Sequence, residues 1–445
     1  MKSIIHFLII LLFGISNLYA NSSSLTIYRK GNKIVLAYNF PHKIILRSTN
    51  DDEIFERAFE NLKEANGGKL HISSGRYFLR NSYQITKNVL IEGEGKATKL
   101  FFGSEFNGND AAFKVDKQDG VTISNLSLLA YPGLKAPESG ILVSSSGNFV
   151  SNNLLVLGFE KYGIILGKGT FLSSITGCEI GDNKVSNILL KKLSRGGRYG
   201  DFLPNSIKNN TIFGGGNGIE LDNALLVNII GCSIYQSTGA GIFIHGISNS
   251  ALLSGNRTFQ IIGKALLIEN SSEINVTGNI FCWQTEEGIV VKNAEWGTIT
   301  GNEIIDSGSF NSGLKNDTDI MANLPKDYTP FNGVILDAVI GFNVNNNTIF
   351  NWGVCPPLAN GIYESEKSQK NIINDNIINY FSGEAVISNG KNSLKSGNVF
   401  EAKTPFNELK NNRGNDGTPN IESGRVLQSF ETTLFKRYID SLREQ

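Results

Sequence analysis

A short pattern of residues recurs through the middle of this 445-residue chain at an interval close to 23 residues. In each copy a small residue is followed by two apolar residues that are separated by one variable residue. The small residues are Gly140, Gly163, Asn187, Gly218, Gly241, Ala265, Gly288, Gly333, Gly361 and Ala385. Most intervals are 23 or 24 residues, and the three longer ones, of 31, 45 and 28 residues, indicate insertions. Such a period is typical of a solenoid, whose coils bury an apolar side only by stacking on each other.

A second repeat, centred on asparagine, follows each of these strand starts. Its positions in register are Asn153, Cys178, Asn210, Cys232, Asn256, Asn279, Asn302, Asn347 and Asn376. Asparagine tolerates left-handed backbone geometry, and its amide can bond the asparagine of the next coil. We therefore predict a ladder of stacked asparagines inside the turns of an all-β, parallel solenoid of about ten coils.

The same register places the cysteines. Cys178 and Cys232 lie two coils apart, roughly 10 Å at the spacing of parallel strands. That separation exceeds the ~7 Å over which two Cα atoms can be joined by a disulfide. We expect buried free thiols.

The N-terminus has the composition of a secretory signal peptide over residues 1–20. Lys2 supplies the positive charge, residues 4–15 form the apolar segment, and Ala20 ends the cleavage site. No later segment is long and apolar enough to span a bilayer. The mature protein is therefore expected to be secreted or periplasmic.

The segments around the repeat are expected to close its ends. Residues 21–45 are predicted to form a lead segment with a hairpin turn. Residues 46–405 are predicted to form the solenoid with its N-terminal cap helix. Residues 406–445 predict a tail with a second capping helix.

Residues 51–95, DDEIFERAFENLKEANGGKLHISSGRYFLRNSYQITKNVLIEGEG, resemble the first segment of the pectate-lyase-like superfamily. The shared elements are a cap helix, a Gly-Gly turn, a strand, an SGRY turn and an IEGEG strand. The resemblance implies a right-handed parallel β-helix with a helix at each end. The superfamily includes glycosidases, polysaccharide lyases, uronate epimerases, phage tailspikes and non-catalytic adhesins. The sequence carries no contiguous catalytic signature of any one of them, so function must be argued from the site.

The 41 Lys and Arg residues balance 41 Asp and Glu residues, which gives no electrostatic case for nucleic acid as a partner. By resemblance, the strands that begin at the small residues form the floor of a polysaccharide groove. The first residue after each start is apolar, as is the third after every start except Gly361 and Ala385, and both should face the core. The fourth residues form an outward column: Lys191, Asp222, His245, Glu269, Lys292, Asp337 and Ser365.

This column predicts an exported carbohydrate-active enzyme that cleaves glycosidic bonds, with hydrolysis favoured. Asp222 and Glu269 lie two coils apart, roughly 10 Å at Cα. Their carboxyl groups can approach the separation of about 6.5–9.5 Å that an inverting glycosidase needs for an acid, a base and a water. His245 lies between them and would orient the water or a sugar hydroxyl.

The first alternative is a polysaccharide lyase acting by β-elimination. Lys191 or Lys292 would neutralise a uronate carboxylate while His245 or a lysine removes the adjacent proton. Calcium is the only cofactor considered, and it would bind Asp222, Glu269 or Asp337. A loop with further substrate-binding candidates lies beside Lys191: Arg195, Arg198 and Tyr199.

The second alternative is a glycan-binding or surface-structural β-helix without catalysis. The neighbouring outward column is mostly apolar, which favours a covered structural face: Leu189, Phe243, Leu267, Val290 and Ile335. Two further candidates are a row of aromatics, Phe213, Tyr235, Phe259 and Phe350, and an acidic cluster, Glu364-Ser365-Glu366. Stacking within the fold and a solvated turn are the favoured interpretations of these two.

Overall fold

The structure is a computed structural model that describes residues 23–39, 41–103, 106, 110–131, 135–191, 204–309, 330–351 and 357–401. These residues fall within the larger of two compact units, which spans 1–405. The predicted signal peptide and the predicted C-terminal helix lie outside the described residues.

Each coil of the solenoid contributes three short strands, and each strand pairs in parallel with its equivalents in the coils before and after. One face of the solenoid is a separate sheet of twelve strands. In chain order they are Tyr83–Gln84, Ala111–Asp116, Ser139–Ser144, Tyr162–Leu166, Ser186–Lys191, Asn217–Asp222, Ile242–His245, Leu266–Glu269, Ile289–Lys292, Val334–Asp337, Ile362–Glu364 and Val386–Ser388.

The other two faces share a sheet of 27 strands. The first strand of each coil is Gly68–Ile72, Val89–Glu92, Thr122–Ala130, Val150–Leu157, Ser174–Thr176, Asn205–Lys208, Leu225–Ile230, Asn249–Ser254, Asn275–Thr277, Thr298–Thr300, Asn343–Asn345, Ile372–Asn374 and Leu394–Ser396. The second is Gly75–Leu79, Thr98–Phe102, Glu179–Gly181, Thr211–Phe213, Ser233–Tyr235, Arg257–Ile261, Ile280–Gln284, Glu303–Ser307, Thr348–Phe350, Ile377–Asn379 and Val399–Glu401. The long strands Thr122–Ala130 and Val150–Leu157 serve both faces.

The predicted parallel solenoid is confirmed, and it has about twelve coils instead of ten. The ten predicted strand starts all fall at the beginning of strands of the twelve-stranded sheet. The two strands that were missed are the first ones. Tyr83–Gln84 begins after Ser82 instead of the Gly, Ala or Asn of the other copies, whereas Ala112 begins a copy that fits the pattern.

One helix and three antiparallel strands cover the start of the solenoid. Ser23–Lys30 and Lys33–Tyr38 form a hairpin, and Lys43–Ser48 pairs with its second strand. The helix Asp51–Glu64 begins at Asn50, whose side chain accepts a hydrogen bond from the backbone N–H of Asp52. Its apolar stripe is fully buried: Ile54, Phe55, Ala58 and Leu62. The helix thereby removes the first core layer from water. A 3-10 turn, Gly95–Ala97, precedes the strand Thr98–Phe102.

The predicted asparagine ladder is confirmed in the interior. The amide oxygen of Asn302 accepts both the backbone N–H and the side-chain N–H of Asn279, at 3.0 and 2.9 Å. Asn302 in turn donates its side chain to Asn347 at 3.0 Å. Asn398 continues the ladder by accepting from Asn376. Each ladder amide thus satisfies a main-chain donor of the coil before it, inside a region that water does not reach.

Two details of the predicted ladder are wrong. Asn153 is exposed, and the strand register places the buried Leu154 beside Cys178 instead. The left-handed residue is not the ladder asparagine but the residue before it, such as Gly278 at φ 61° and Gly301 at φ 64°. Asn153 itself has φ 52° and holds that preceding position. The turn therefore needs two different residues in sequence: a left-handed one, then a buried amide or thiol.

The small residue at each strand start makes room for the next face of the same coil. A Cβ added to Gly218 would lie 2.4 Å from Cγ2 of Ile234, and one added to Gly333 would lie 2.3 Å from Cγ2 of Ile349. Both distances are far shorter than a van der Waals contact. Close approach, not backbone freedom, therefore explains why glycine begins these strands.

Three of the four cysteines, Cys178, Cys232 and Cys282, are buried and free, as predicted for the first two. Burial raises the pKa of the Cys178 thiol to about 11. Cys355 lies outside the described residues. Among the residues that the structure describes, no helix has the length and apolarity to cross a membrane.

We predict that Asn302→Ala lowers the free energy of unfolding by about 2–4 kcal/mol, because it leaves the buried backbone N–H of Asn279 without an acceptor and removes the bonds of the Asn302 amide. Chemical unfolding followed by circular dichroism measures the change. The exposed Asn152→Ala is the matched control and should change stability by less than ~0.5 kcal/mol. Equal effects in the two variants would contradict a stabilising ladder.

The half-buried Asp182 predicts a pH-dependent stability. Burial raises the pKa of Asp182 from 3.8 to about 6. The folded state therefore binds this proton more tightly than the unfolded state, and its contribution is lost as pH rises through about 6. We expect Asp182→Asn to be more stable than the natural chain above this pH, by about 1–2 kcal/mol after allowing for partial exposure, with the advantage vanishing near pH 4. Unfolding curves at acidic and neutral pH test this, and a pH-independent difference would contradict it.

Candidate functional site

The predicted outward column exists as predicted on the twelve-stranded sheet. Lys191, Asp222 and His245 are direct partners on three successive strands. Glu269, Lys292 and Asp337 are direct partners on the next three. The alternate residues, such as Leu221 and Ile244, are fully buried in the core. Because parallel strands lie ~4.8 Å apart, these six groups form one line along the solenoid.

Glu220 lies at the centre of the contacts on this surface. Its Oε1 lies 3.0 Å from Nε2 of His245 on the next coil. Its Oε2 accepts hydrogen bonds from the Ser186 hydroxyl and, at 3.3 Å, from the side-chain N–H of Asn217. The Glu220 side chain is only 14% exposed. Three partners hold this carboxylate in one orientation, and it in turn holds the imidazole.

The ring of His245 is fixed from a second side. It stacks on Phe243, two residues earlier on the same strand, with ring centroids 4.2 Å apart and an angle of 18°. The His245 side chain remains 25% exposed. A ring that is held at Nε2 and against one face, yet reaches solvent, is suited to exchange a proton with a bound molecule.

An ion pair lies beside this histidine. Nζ of Lys191 is 3.3 Å from Oδ2 of Asp222, and the side-chain N–H of Asn223 donates to Oδ1 of Asp222 at 2.5 Å. The Lys191 side chain is 45% exposed, whereas Asp222 is 16% exposed. Asp222 therefore has both carboxylate oxygens engaged, while the lysine faces solvent.

Tyr162 lies on the other side of Glu220, on an earlier strand of the sheet. Burial raises the pKa of the Tyr162 hydroxyl above its ordinary value, and the negative charge of Glu220 raises it further. The positive charge of Lys191 acts in the opposite direction. Tyr162 is thus close to both groups and stays protonated at neutral pH.

The second half of the column is arranged differently. Within the part of the chain that the structure describes, no ion pair joins Glu269 to Lys292 or Lys292 to Asp337. All three side chains are partly exposed, whereas Ser365, which ends the column, is buried. Cross-strand pairing alone does not account for these charges, so they remain candidates to bind a ligand.

The neighbouring outward column is apolar, and two of its members are covered. Leu189 is 2% exposed and Val290 is 1% exposed, although both face away from the core. Phe243, Leu267 and Ile335 are partly exposed. The floor beside the charged column therefore offers apolar surface at the coils that carry His245, Glu269 and Asp337.

Other candidates fall outside this surface. Arg195, Arg198 and Tyr199 lie outside the described residues. Glu364 is fully buried and accepts hydrogen bonds from Asn371, Ser388 and Ser393, so it is part of the interior rather than of a surface cluster. Among the described residues, no group of three or more His, Cys, Asp or Glu side chains could hold a metal ion.

The aromatic row belongs to the second face of the coils, not to this sheet. Phe213, Tyr235 and Phe259 are in register, and Phe213 stacks on Tyr235 at 5.6 Å. Phe213 is only 9% exposed, which fits the structural interpretation. Trp283 stacks on Phe259 at 4.9 Å.

Glu220 is not among the site residues that the sequence predicts. His245 is the register partner of Asp222, yet its ring turns diagonally to Glu220. A signal was available, because Glu220 is the one acidic residue in an otherwise apolar outward column. The interruption of an apolar column by a single carboxylate is the feature that identifies it.

Comparisons with known proteins support the fold. A family model described as "Right handed beta helix region" matches residues 162–319. No curated protein matches the chain. A solved structure of the Azotobacter vinelandii mannuronan C-5 epimerase AlgE6 A-module has 15% identity and a TM-score of 0.65, covering 80% of this chain and 96% of that one.

Two other solved structures are similar at comparable levels. The DFA-IIIase from Arthrobacter chlorophenolicus A6, in complex with GF2, has 15% identity and a TM-score of 0.53, covering 73% of this chain and 90% of that one. The Dettilon tailspike protein has 13% identity and a TM-score of 0.56, covering 78% of this chain and 65% of that one. Likeness at this identity establishes the fold: the chain is a right-handed parallel β-helix protein.

Proposed function

We propose that this protein is an exported, carbohydrate-active enzyme that cleaves a polysaccharide bound along the twelve-stranded sheet. The observation that carries the proposal is the Glu220–His245 pair, at 3.0 Å, in a partly exposed line of charged groups. The similar structures support the substrate class, because one is named a mannuronan C-5 epimerase and so acts on a polysaccharide. Export rests on the sequence of residues 1–20.

The contacts of the site favour β-elimination on an acidic sugar. With Nε2 held by Glu220, the other ring nitrogen of His245 takes the proton from the carbon beside the sugar carboxylate. Lys191 neutralises that carboxylate. The electron pair of the broken C–H bond forms a carbon–carbon double bond as the glycosidic C–O bond breaks. The leaving oxygen takes a proton from water.

Hydrolysis by Asp222 and Glu269 remains the second candidate. The register places their strands two coils apart, with His245 between them. Asp222, which pairs with Lys191 at 3.3 Å, would be the base toward water. Glu269 would then be the acid. Neither mechanism is routed through a metal, and calcium remains an untested expectation for elimination.

A screen of the mature chain against uronate and neutral polysaccharides tests the proposal. New reducing ends together with ultraviolet absorbance of unsaturated uronate identify elimination. Reducing ends alone identify hydrolysis. Binding without either signal on any substrate would overturn the enzymatic proposal.

We predict that His245→Ala and Glu220→Gln each lower kcat by about 10²–10⁴-fold, the usual contribution of a positioned acid–base group. Thermal unfolding should show that both variants stay folded. His71→Ala is the matched control, because His71 also pairs with a glutamate, Glu94, at 3.2 Å, but on another face. Its kcat should equal that of the natural chain.

Asp222→Asn and Glu269→Gln separate the two mechanisms. Under elimination, Glu269→Gln should change kcat by less than about tenfold, whereas under hydrolysis each substitution should cost about 10²-fold or more. If the reaction is elimination, Lys191→Met should raise KM for a uronate polymer. Full activity of His245→Ala and Glu220→Gln would contradict the assigned centre.

A further inference from the structure

A groove with a volume of about 870 Å³ lies at the first coils, on the face formed by the second strands and away from the twelve-stranded sheet. Three aromatic rings line it. Phe78 stacks on Phe101, with centroids 5.3 Å apart, and Phe101 meets Tyr131 edge-on at 6.2 Å. Phe78 is 51% exposed and Tyr131 is 42% exposed. Phe78 and Tyr131 are far more exposed than Phe101 between them, which is 9% exposed.

The exposure of Phe78 needs an explanation. As the first member of the stacked column, it has a partner ring on one side only. A contiguous group of exposed apolar side chains marks a binding surface more often than a single exposed residue does, and Phe78 and Tyr131 line the same groove. A flat ring held rigidly by its neighbour offers its face to the apolar face of a sugar ring.

The same groove is cationic. The charged residues of its lining are three arginines, Arg29, Arg76 and Arg80, and one carboxylate, Asp51. Arg80 also pairs with Asp52 at 3.1 Å, so three cations stand against two carboxylates. Arg29 is held by Asp51 at 2.9 Å, through one of its guanidinium nitrogens. Each arginine presents several N–H donors, so such a salt bridge fixes the side chain without exhausting it.

Two cations also face each other across adjacent strands. Arg76 and Lys99 are direct partners in the parallel pairing of Gly75–Leu79 with Thr98–Phe102. The two strands lie ~4.8 Å apart. Lys99 makes no ion pair with any residue that the structure describes. An anion placed over the two strands would therefore meet both cations.

The two features are interleaved on the same strands. Arg76 and Phe78 are two residues apart, as are Lys99 and Phe101, so each strand presents a cation and a ring on one side. This alternation matches a polymer whose repeating unit has both an apolar ring face and a carboxylate. A neutral glycan would use only one of the two features.

We propose that this groove is a second binding site, which holds an acidic polysaccharide without cleaving it. The exposed faces of Phe78 and Tyr131 stack on sugar rings, and Arg76 and Lys99 bind the carboxylates. The site keeps the polymer attached while another stretch of it reaches the twelve-stranded sheet. It rests on the proposed function only for the class of ligand.

The test is calorimetric titration of the mature chain with hexamers of galacturonate and of mannuronate, with a neutral glucan hexamer and a sulfated dextran as further arms. All titrations use Lys191→Met/Lys292→Met protein, so that binding on the twelve-stranded sheet does not obscure the groove. We expect binding of the uronate hexamers that weakens as salt is added, and little binding of the neutral hexamer. Preference for sulfated dextran over uronate would assign the site to sulfate groups instead and overturn the carboxylate assignment.

In that background, Arg76→Ser/Lys99→Ser and Phe78→Ser should each weaken the uronate hexamers about tenfold or more. Lys391→Ser and Ile247→Ser, both exposed on distant surfaces, are the matched controls and should leave Kd unchanged. The charge variant should stay folded, because Arg76 is exposed and Lys99 is partly exposed. Unchanged affinity in both groove variants would overturn the proposal.

The outcome is separable from that of the proposed function. Groove binding without turnover by the natural chain would leave this inference intact and remove the enzyme. Turnover by the natural chain, with no effect of the groove variants on binding or on KM for long polymers, would support the enzyme and remove the second binding site.

Discussion

The structure depends on one constraint: every strand must lie in register on the strand one coil earlier. Parallel main-chain hydrogen bonds join the coils, and the interior asparagines bond the same coils a second time. A coil displaced by one residue would turn its apolar side chains to water and separate the amides of the ladder. The two requirements are independent, and both are satisfied by the same register. The core, the flat outer faces and the columns on them all follow from it.

This register converts a spacing of about one coil in the sequence into direct contact. Lys191 and Asp222 meet because their strands are neighbours, although 31 residues separate them in the chain. Each outward side chain can then contact only its neighbours on the adjacent strands. A line of titratable groups therefore forms on a rigid support. Rigid support is what an acid–base site requires, because a small misplacement of its groups has a large cost.

The sequence was therefore sufficient for the fold and for the columns, but not for the contacts within them. The identity of the column that carries Asp222 and His245 followed from periodicity alone. The turn of the His245 ring toward Glu220 did not, because a side chain can reach directly across or diagonally, and only packing against Phe243 decides. Asn153 was misplaced for a related reason. Neighbouring asparagines have the same composition whether they hold the left-handed position or the buried one, and only the burial of Leu154 distinguishes them.

The bond from Asn302 to Asn347 has the same length as bonds between ladder residues one ordinary coil apart, although 45 residues lie between the two positions. The packing of the interior is therefore independent of the length of the loop inserted at a corner. Changes of length there are invisible to the stacking energy, so the walls around the outer faces are free to diverge among descendants of one ancestor while the scaffold is inherited unaltered. Selection for a new ligand and selection for stability act on separate parts of such a chain.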